Sequence, residues 1–314
     1  MTEATQTSHG HTISRAELEA ESLMRSATYA AVSTAGILVV IKAMAWWFTG
    51  SVALLGSLFD SMLDVAASLV NMIAVRKALM PRDEEHRFGH GKVEALAGLG
   101  QALIIVLSAL YLVYECWQRI GTPKPMENGL IGVVVILVSI ALTLLLVRFQ
   151  RKVIQRSGSL VISADELHYK GDLLMNVAVI AALLLSGIAG LPLIDPAIGL
   201  GVAVYIVWAA WTIVRQSYDQ LMDREFPDDK RMRVRDMAMK HPDVLDVHDL
   251  RTRSAGRLDF IQLHLELDAD ISLIRAHEIA DEVEEQLLNA FPRAEIIIHQ
   301  DPAGLEEITA LDKR

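Results

Sequence analysis

Six apolar stretches dominate the chain, at roughly 26–49, 52–79, 95–118, 129–150, 159–187 and 196–220. Each can reach the ~20 residues needed to cross a bilayer as a helix. No water reaches backbone N–H and C=O groups inside a bilayer, so segments of this kind are confined to a helical bundle there. The breaks between them fall at Thr49-Gly50, Pro81–Gly91, Gly121–Asn128, Arg148–Gly158 and Gly190–Pro196. A hydrophobic content of 52% and a mean hydropathy of +0.34 fit a membrane domain joined to a soluble one.

The second stretch contains SLFDSMLDVAASLVNMIAVR, Ser57–Arg76, with Asp60 and Asp64 inside it. A four-residue step puts both carboxylates on one helix face, with Cβ atoms about 6 Å apart. An ionised carboxylate in a bilayer core costs a few kcal/mol, and two on one face also repel, so something positive is required between them. The fifth stretch supplies partners in ADELHYKGDLLMN, where His168 and Asp172 recur at the same spacing. Three carboxylates and one imidazole form an N/O set suited to a divalent metal. The bland alternative, helix caps or misassigned loop residues, does not explain the same pattern occurring twice well inside the apolar stretches. The second and fifth stretches are also less uniformly apolar, as expected of helices facing a bundle interior.

Lys/Arg placement gives an expected orientation. Arg76, Lys77, Arg82, Arg87 and Lys92 flank the 2–3 connection, and Arg148, Arg151, Lys152 and Arg156 the 4–5 connection. The 1–2 and 5–6 turns have none, and the 3–4 loop has Arg119 and Lys124. Both basic connections and both termini are therefore expected on the cytoplasmic side of the inner membrane. Residues 1–24 are polar and lack an apolar signal core, and are expected to form a disordered tail, in which His9 and His11 are more readily solvated than metal-bound. The single Cys116 excludes an intramolecular disulfide framework.

Beyond Asp223 the periodicity changes. Asp228–His241 reads as a helix, and Val244–Ser254 and Arg257–Asp268 as a hairpin. In the second strand Ile261, Leu263, Leu265 and Leu267 face one way, and Gln262, His264, Glu266 and Asp268 the other. Ile271–Phe291 is an amphipathic helix and Ala294–His299 a third strand. The expected organisation is thus a tail at 1–24, a six-helix transmembrane domain at 25–222, an α+β cytoplasmic domain (αββαβ) at 223–302 and a flexible end at 303–314. From Phe226 onward there are 20 Asp/Glu and 12 Lys/Arg, a balance of −8 out of the chain's −10, which argues against nucleic-acid binding.

Two further groups could hold metal. Asp83, His86 and His90 lie at spacings of 3 and 4 in the 2–3 connection, and face together only if that loop is helical or folds back. In the acidic tail His264 lies on a polar strand face, His299 and Asp301 share a face of the last strand, His248 is on the first strand and His277 on the helix. Seven of the ten histidines fall in these groups and the intramembrane set.

GSLFDSMLD, HRFGHGKVEALA, HYKGD, HDLRTR, IQLHLE and IIIHQDP together resemble the cation diffusion facilitators, in particular the bacterial zinc and ferrous-iron efflux type. The resemblance runs from about Arg25 to Asp301. It implies six membrane helices with a metallochaperone-like cytoplasmic domain, working as a homodimer. It further implies a transport site of Asp60, Asp64, His168 and Asp172, and a loop site of Asp83, His86 and His90. His248, His264, His277, His299 and Asp301 would form a binuclear site bridging two protomers, and Lys92 and Asp223 a charge interlock at the dimer interface. The expected activity is export of Zn2+, or of Fe2+ or Cd2+, against entering protons, with metal also acting as regulatory ligand. There is no phosphate-binding loop or phosphorylatable Asp motif to suggest ATP drive. A metal sensor without transport, or a metal-dependent membrane hydrolase, are the alternatives. The intact intramembrane ligand set argues against the first, and the lack of a recognisable general base against the second.

Overall fold

A computed structural model describes residues 15–50, 52–121, 130–189 and 194–304. The expectations for residues 1–14 with His9 and His11, for Lys124 and for the end beyond 304 lie outside these. The described residues divide into two units, one ending at Tyr218 and one beginning at Asp219.

The first unit holds six helices: α1 (Arg15–Thr49), α2 (Val52–Ala78), α3 (Val93–Gly121), α4 (Leu130–Ser157), α5 (Leu160–Ala189) and α6 (Ile194–Leu221). Among the described residues, five of them are long and apolar enough to cross a membrane; α5 is the exception. At 30 residues it is about 45 Å long, but its first half carries Asp165, Glu166, Lys170 and Asp172. Its position explains how that charge is tolerated. It packs against α1, α2, α3 and α4, and shares an apolar cluster with α3 and α6. Helix α1 begins at Arg15, well before the expected boundary at residue 25. Residues 15–23, RAELEAESL, are rich in strong helix formers, and Ala20 and Met24 are buried.

Small residues bring the helices close, as they do where lipid supplies no hydrophobic drive for association. Ala27, Ala31 and Ala35 of α1 and Ala74 of α2 are buried. A Cβ on Gly199 of α6 would stand 2.6 Å from the Cys116 sulfur of α3, and one on Gly98 of α3 2.8 Å from the Ser217 hydroxyl of α6. Trp47, Phe48 and Trp117 are exposed near the C-terminal ends of α1 and α3, and Trp211 and Tyr218 near that of α6, as aromatic belts at two membrane faces require.

The second unit follows the order α7 (Asp228–Ala238), β1 (Asp246–Ala255), β2 (Leu258–Leu267), α8 (Leu273–Ala290) and β3 (Ala294–Pro302). The sheet order is β1-β2-β3, with β1 and β2 antiparallel and β2 and β3 parallel across α8. Ala255 pairs with Leu258, so the hairpin loop is Gly256-Arg257, and Gly256 takes the positive φ (+64°) that this tight turn demands. The alternation of β2 is realised: Ile261, Leu263, Leu265 and Leu267 are buried beneath Val234 and Ala238 of α7 and Ile279, Val283 and Leu287 of α8. Helix α8 is capped by Ser272, whose hydroxyl accepts the Arg275 N–H. The opposite sheet face is left for polar side chains.

Candidate metal sites

The intramembrane ligands converge from α2 and α5. His168 Nε2 lies 3.0 Å from Asp64 Oδ1 and 3.7 Å from Asp172 Oδ2. Asp64, His168 and Asp172 each offer an atom within 4.8 Å of the other two. Asp60, one turn along α2, is exposed and is not in that group. Along α5, Asp172 lies about 18 Å from the helix start and Asp64 about 21 Å from the end of α2, so both sit near mid-span. One imidazole and two carboxylates in one cluster give borderline and hard donors together, a set that a divalent transition metal accepts.

Sequence reasoning missed the groups that surround this cluster. Lys42 of α1 donates to Ser61 Oγ (2.7 Å) and to the Ser57 carbonyl (3.2 Å), and its charge acts on Asp64, Asp172 and Asp60. The required positive partner thus includes a lysine on a third helix. Its signal was present, since Lys42 is the one charged residue in the stretch 26–49. One turn before His168, buried Asp165 accepts from Asn71 Nδ2 of α2 (2.8 Å) and Gln150 Nε2 of α4 (2.6 Å). The neighbouring Tyr169 shares a hydrogen bond with Ser68 (2.7 Å). These bonds fix the helices that carry the ligands.

The 2–3 connection folds back rather than forming a helix. Asp83 Oδ1 accepts from the backbone N–H groups of Glu85 (3.1 Å) and His86 (2.6 Å), an Asx-type turn. Gly89 (φ +81°) then closes a turn onto the His86 carbonyl. The result places His86 Nδ1 3.2 Å from one Asp83 oxygen and His90 Nε2 3.3 Å from the other, with the two rings 4.6 Å apart. The Asp83 carboxyl is held below the usual carboxylate range, chiefly by the His86 N–H that it accepts. His90 is buried, and its contact with Asp83 is an ion-pair distance without hydrogen-bond geometry.

On the polar face of the sheet the strand register builds two rows. His248, His264 and His299 lie side by side across β1, β2 and β3, and Asp246, Glu266 and Asp301 form the next row. Asp301, nearly buried, lies 2.8 Å from His264 Nδ1, 3.0 Å from His299 Nε2 and 3.3 Å from His248 Nε2. A bulge after His248, with Asp249 at φ +42°, turns the Asp249 carboxylate to 3.7 Å from His264 Nε2. Asp246, Glu266 and Asp249 were not among the expected ligands, although the alternation of β2 already placed Glu266 on the histidine face. His277 stands apart, exposed on α8 with Asp281 at 3.5 Å. Of the expected interlock, Asp223 (φ +53°) accepts from Arg253 at 3.2 Å within its own unit, and Lys92 belongs to the other unit.

Residues 28–222 match the cation efflux transmembrane domain and residues 226–303 the cytoplasmic domain of cation efflux proteins. The cation-efflux pump FieF of Cronobacter sakazakii is 45% identical over 283 residues, covering 90% of this chain and 94% of that protein. FieF of Yersinia pestis is 45% identical over 282 residues, with the same coverage. Among solved structures, CzrB in its Zn form shares 34% identity over 27% of this chain and 98% of that one, with a TM-score of 0.26. With both domain models matched in order and relatives at this identity over nearly the full length, the chain belongs to the cation diffusion facilitators: it is a multi-pass membrane transporter for cation efflux.

Proposed function

We propose that the chain exports a divalent transition-metal ion, Zn2+ with Fe2+ and Cd2+ as further cargo, out of the cytoplasm across the inner membrane in exchange for protons. The observation that carries this reading is the convergence of Asp64, His168 and Asp172 within 4.8 Å near mid-span, where lone ionisable side chains are costly. Asp60 completes the set from one turn along α2. Metal requires ionised carboxylates and a neutral imidazole, so its arrival expels protons and its departure readmits them. Histidine is the side chain whose ordinary titration lies near neutrality, which makes His168 the coupling ligand. Facing the near-neutral cytoplasm, the site exchanges proton for metal; facing a more acidic exterior, it exchanges metal for proton.

The loop triad and the sheet-face histidines lie outside the membrane spans and are read as regulatory. The cytoplasmic-domain model matched at residues 226–303 is that of the family's dimer-forming domain. Two copies, each acidic, would close around metal, and the exposed position of His277 suits a ligand donated to the partner copy. Lys92 and Asp223 would hold the membrane halves together beside this. The test is flux in proteoliposomes with a panel of metals and internal pH read alongside. Asp172→Ala abolishes uptake while leaving expression and dimerisation intact; near-normal transport in that variant, or metal flux without proton counterflux, refutes the reading.

A further inference from the structure

Lys42 lies seven residues before the end of α1, about 10 Å from it, and Ser57 and Ser61 lie about 8 and 13 Å into α2. The two helices run side by side, so the ammonium meets the polar face of α2 level with the ligands rather than reaching for the membrane surface. Two of its three protons go to Ser61 Oγ and the Ser57 carbonyl. Ser57 and Ser61 bracket Asp60 on α2 and Asp64 follows one turn on, so the ammonium lies beside the stretch that carries both carboxylates. Ser61, fully buried, stands on α2 between Asp60 and Asp64 and fixes where the ammonium rests. We propose that Lys42 is a fixed counter-cation of the transport site, which sets the charge of the cargo accepted and limits how tightly it is held.

The argument rests on the transport-site reading above and proceeds by charge. Three ionised ligand carboxylates carry −3, and Lys42 brings the group to −2. A divalent ion then cancels the remainder, while a monovalent ion leaves uncompensated charge in a poorly polarisable surrounding. Asp165 is served separately by the Asn71 and Gln150 amides. The same ammonium repels the bound ion. Transport needs a site that binds well enough to load and weakly enough to empty, and a tethered positive charge moves it toward release. The plainer reading is that Lys42 only staples α1 to α2 through the two serine oxygens. Gln separates the two, since it can reach the same oxygens without a charge.

The experiment measures zinc transport kinetics in proteoliposomes for full-length wild type, Lys42→Gln, Lys42→Met and Lys42→Arg, with Asp172→Ala as control. Lys42→Gln is expected to lower KM by at least about tenfold, from the loss of one charge that repels the ion, and to lower turnover at saturating zinc. Lys42→Met shows the same split, and Lys42→Arg, which keeps the charge, lies nearer wild type in both values. The proposal is overturned if the Gln and Met variants match wild type, if turnover falls with KM unchanged or raised, or if Arg behaves as Gln does. An inactive Asp172→Ala beside any of these results leaves the transport site standing and rejects the role of Lys42 alone. An active Asp172→Ala rejects the site itself, and the counter-cation with it.

Discussion

Replacing Asp165 by alanine tests whether the hydrogen bonds behind the ligands hold the transport site in shape. Asp165 is 1% exposed, Asn71 2% and Gln150 0%, so no water competes for these groups. The carboxylate accepts one amide proton from α2 and one from α4, at 2.8 and 2.6 Å. Alanine leaves both amides without that acceptor. An orphaned buried donor costs about 1–3 kcal/mol, which gives about 2–6 kcal/mol for the pair. Interhelical hydrogen bonds measured in membrane proteins average only ~0.6 kcal/mol, because the broken partners find others. Here the amides reach from two different helices to a single acceptor, and Gln150 Oε1 already lacks a partner. The expected loss is therefore in the middle of the range, about 2–4 kcal/mol. Asparagine is the control: its oxygen can accept one bond, and its amino group can donate to Gln150 Oε1 if that amide turns over, so it should cost about 1 kcal/mol. Thermal unfolding of the detergent-purified protein gives the order wild type, Asn, Ala. Zinc affinity should fall in the Ala variant although no ligand is removed, because His168 lies one turn further along α5. If Ala and Asn melt together with wild type, the bonds do not hold the helices and the reasoning fails.

His168→Asp should flatten the rise of transport-site metal affinity between pH 5 and 8 and move it lower, since a carboxylate titrates below an imidazole; calorimetry in a background lacking the loop and tail ligands checks this. At the loop, the Asp83 carboxyl is depressed in the folded protein, so its contribution is complete above its ordinary value of 3.8 and is lost only as pH falls through the lower folded value. Loop metal binding should accordingly show no carboxylate step above pH 3.8, and such a step would contradict the sign. Gly199→Ala drives a methyl to 2.6 Å from the Cys116 sulfur and should destabilise by about 1–3 kcal/mol, with Cys116→Ala in the same chain restoring much of the melting temperature.

Much of this was legible in the sequence because a bilayer and a two-layer sheet each impose a strict pattern. The alternation of β2 placed Leu263 and Leu265 in the core and His264 outside without further information. The cost of charge in lipid singled out Asp64, His168 and Asp172, which the structure brings together, and also Asp60, which it does not place in that group. What stayed hidden depended on geometry between helices or on local backbone detail. The four-residue spacing set Asp60 and Asp64 on one face but could not say that Asp64 alone meets His168. The turn that gathers Asp83, His86 and His90 relies on side-chain to backbone bonds and on Gly89, and spacing alone allowed a helix equally. The bulge at Asp249 has no periodic signature. Lys42 and Asp165 were visible as charges, but their roles follow from which helix each one faces. The early start of α1 was masked by its polarity: hydropathy marks where a helix meets lipid, while the propensity of RAELEAESL decides where the helix begins.

The placement of α5 ties the chemistry to the packing. A helix with a ligand pair one turn apart, and with Asp165 beside them, cannot face lipid, so it must be the helix with the most neighbours. That position then dictates what those neighbours supply. Helix α2 contributes the opposing carboxylates and Asn71, α4 contributes Gln150, and α1 contributes both Lys42, close by, and the carbonyl of Ala31 that Tyr169 reaches at 3.4 Å. These polar partners therefore come from three other helices, α1, α2 and α4. Three donors within 4.8 Å leave a four-coordinate ion one ligand short, and Asp60 shares a face of α2 with Asp64 one turn away. A change in the register of α2 against α5 would alter the number of ligands without breaking any helix. Metal affinity and helix packing are thus one equilibrium at this site, so a substitution that shifts α5 by a fraction of an ångström acts on transport even when every ligand is intact.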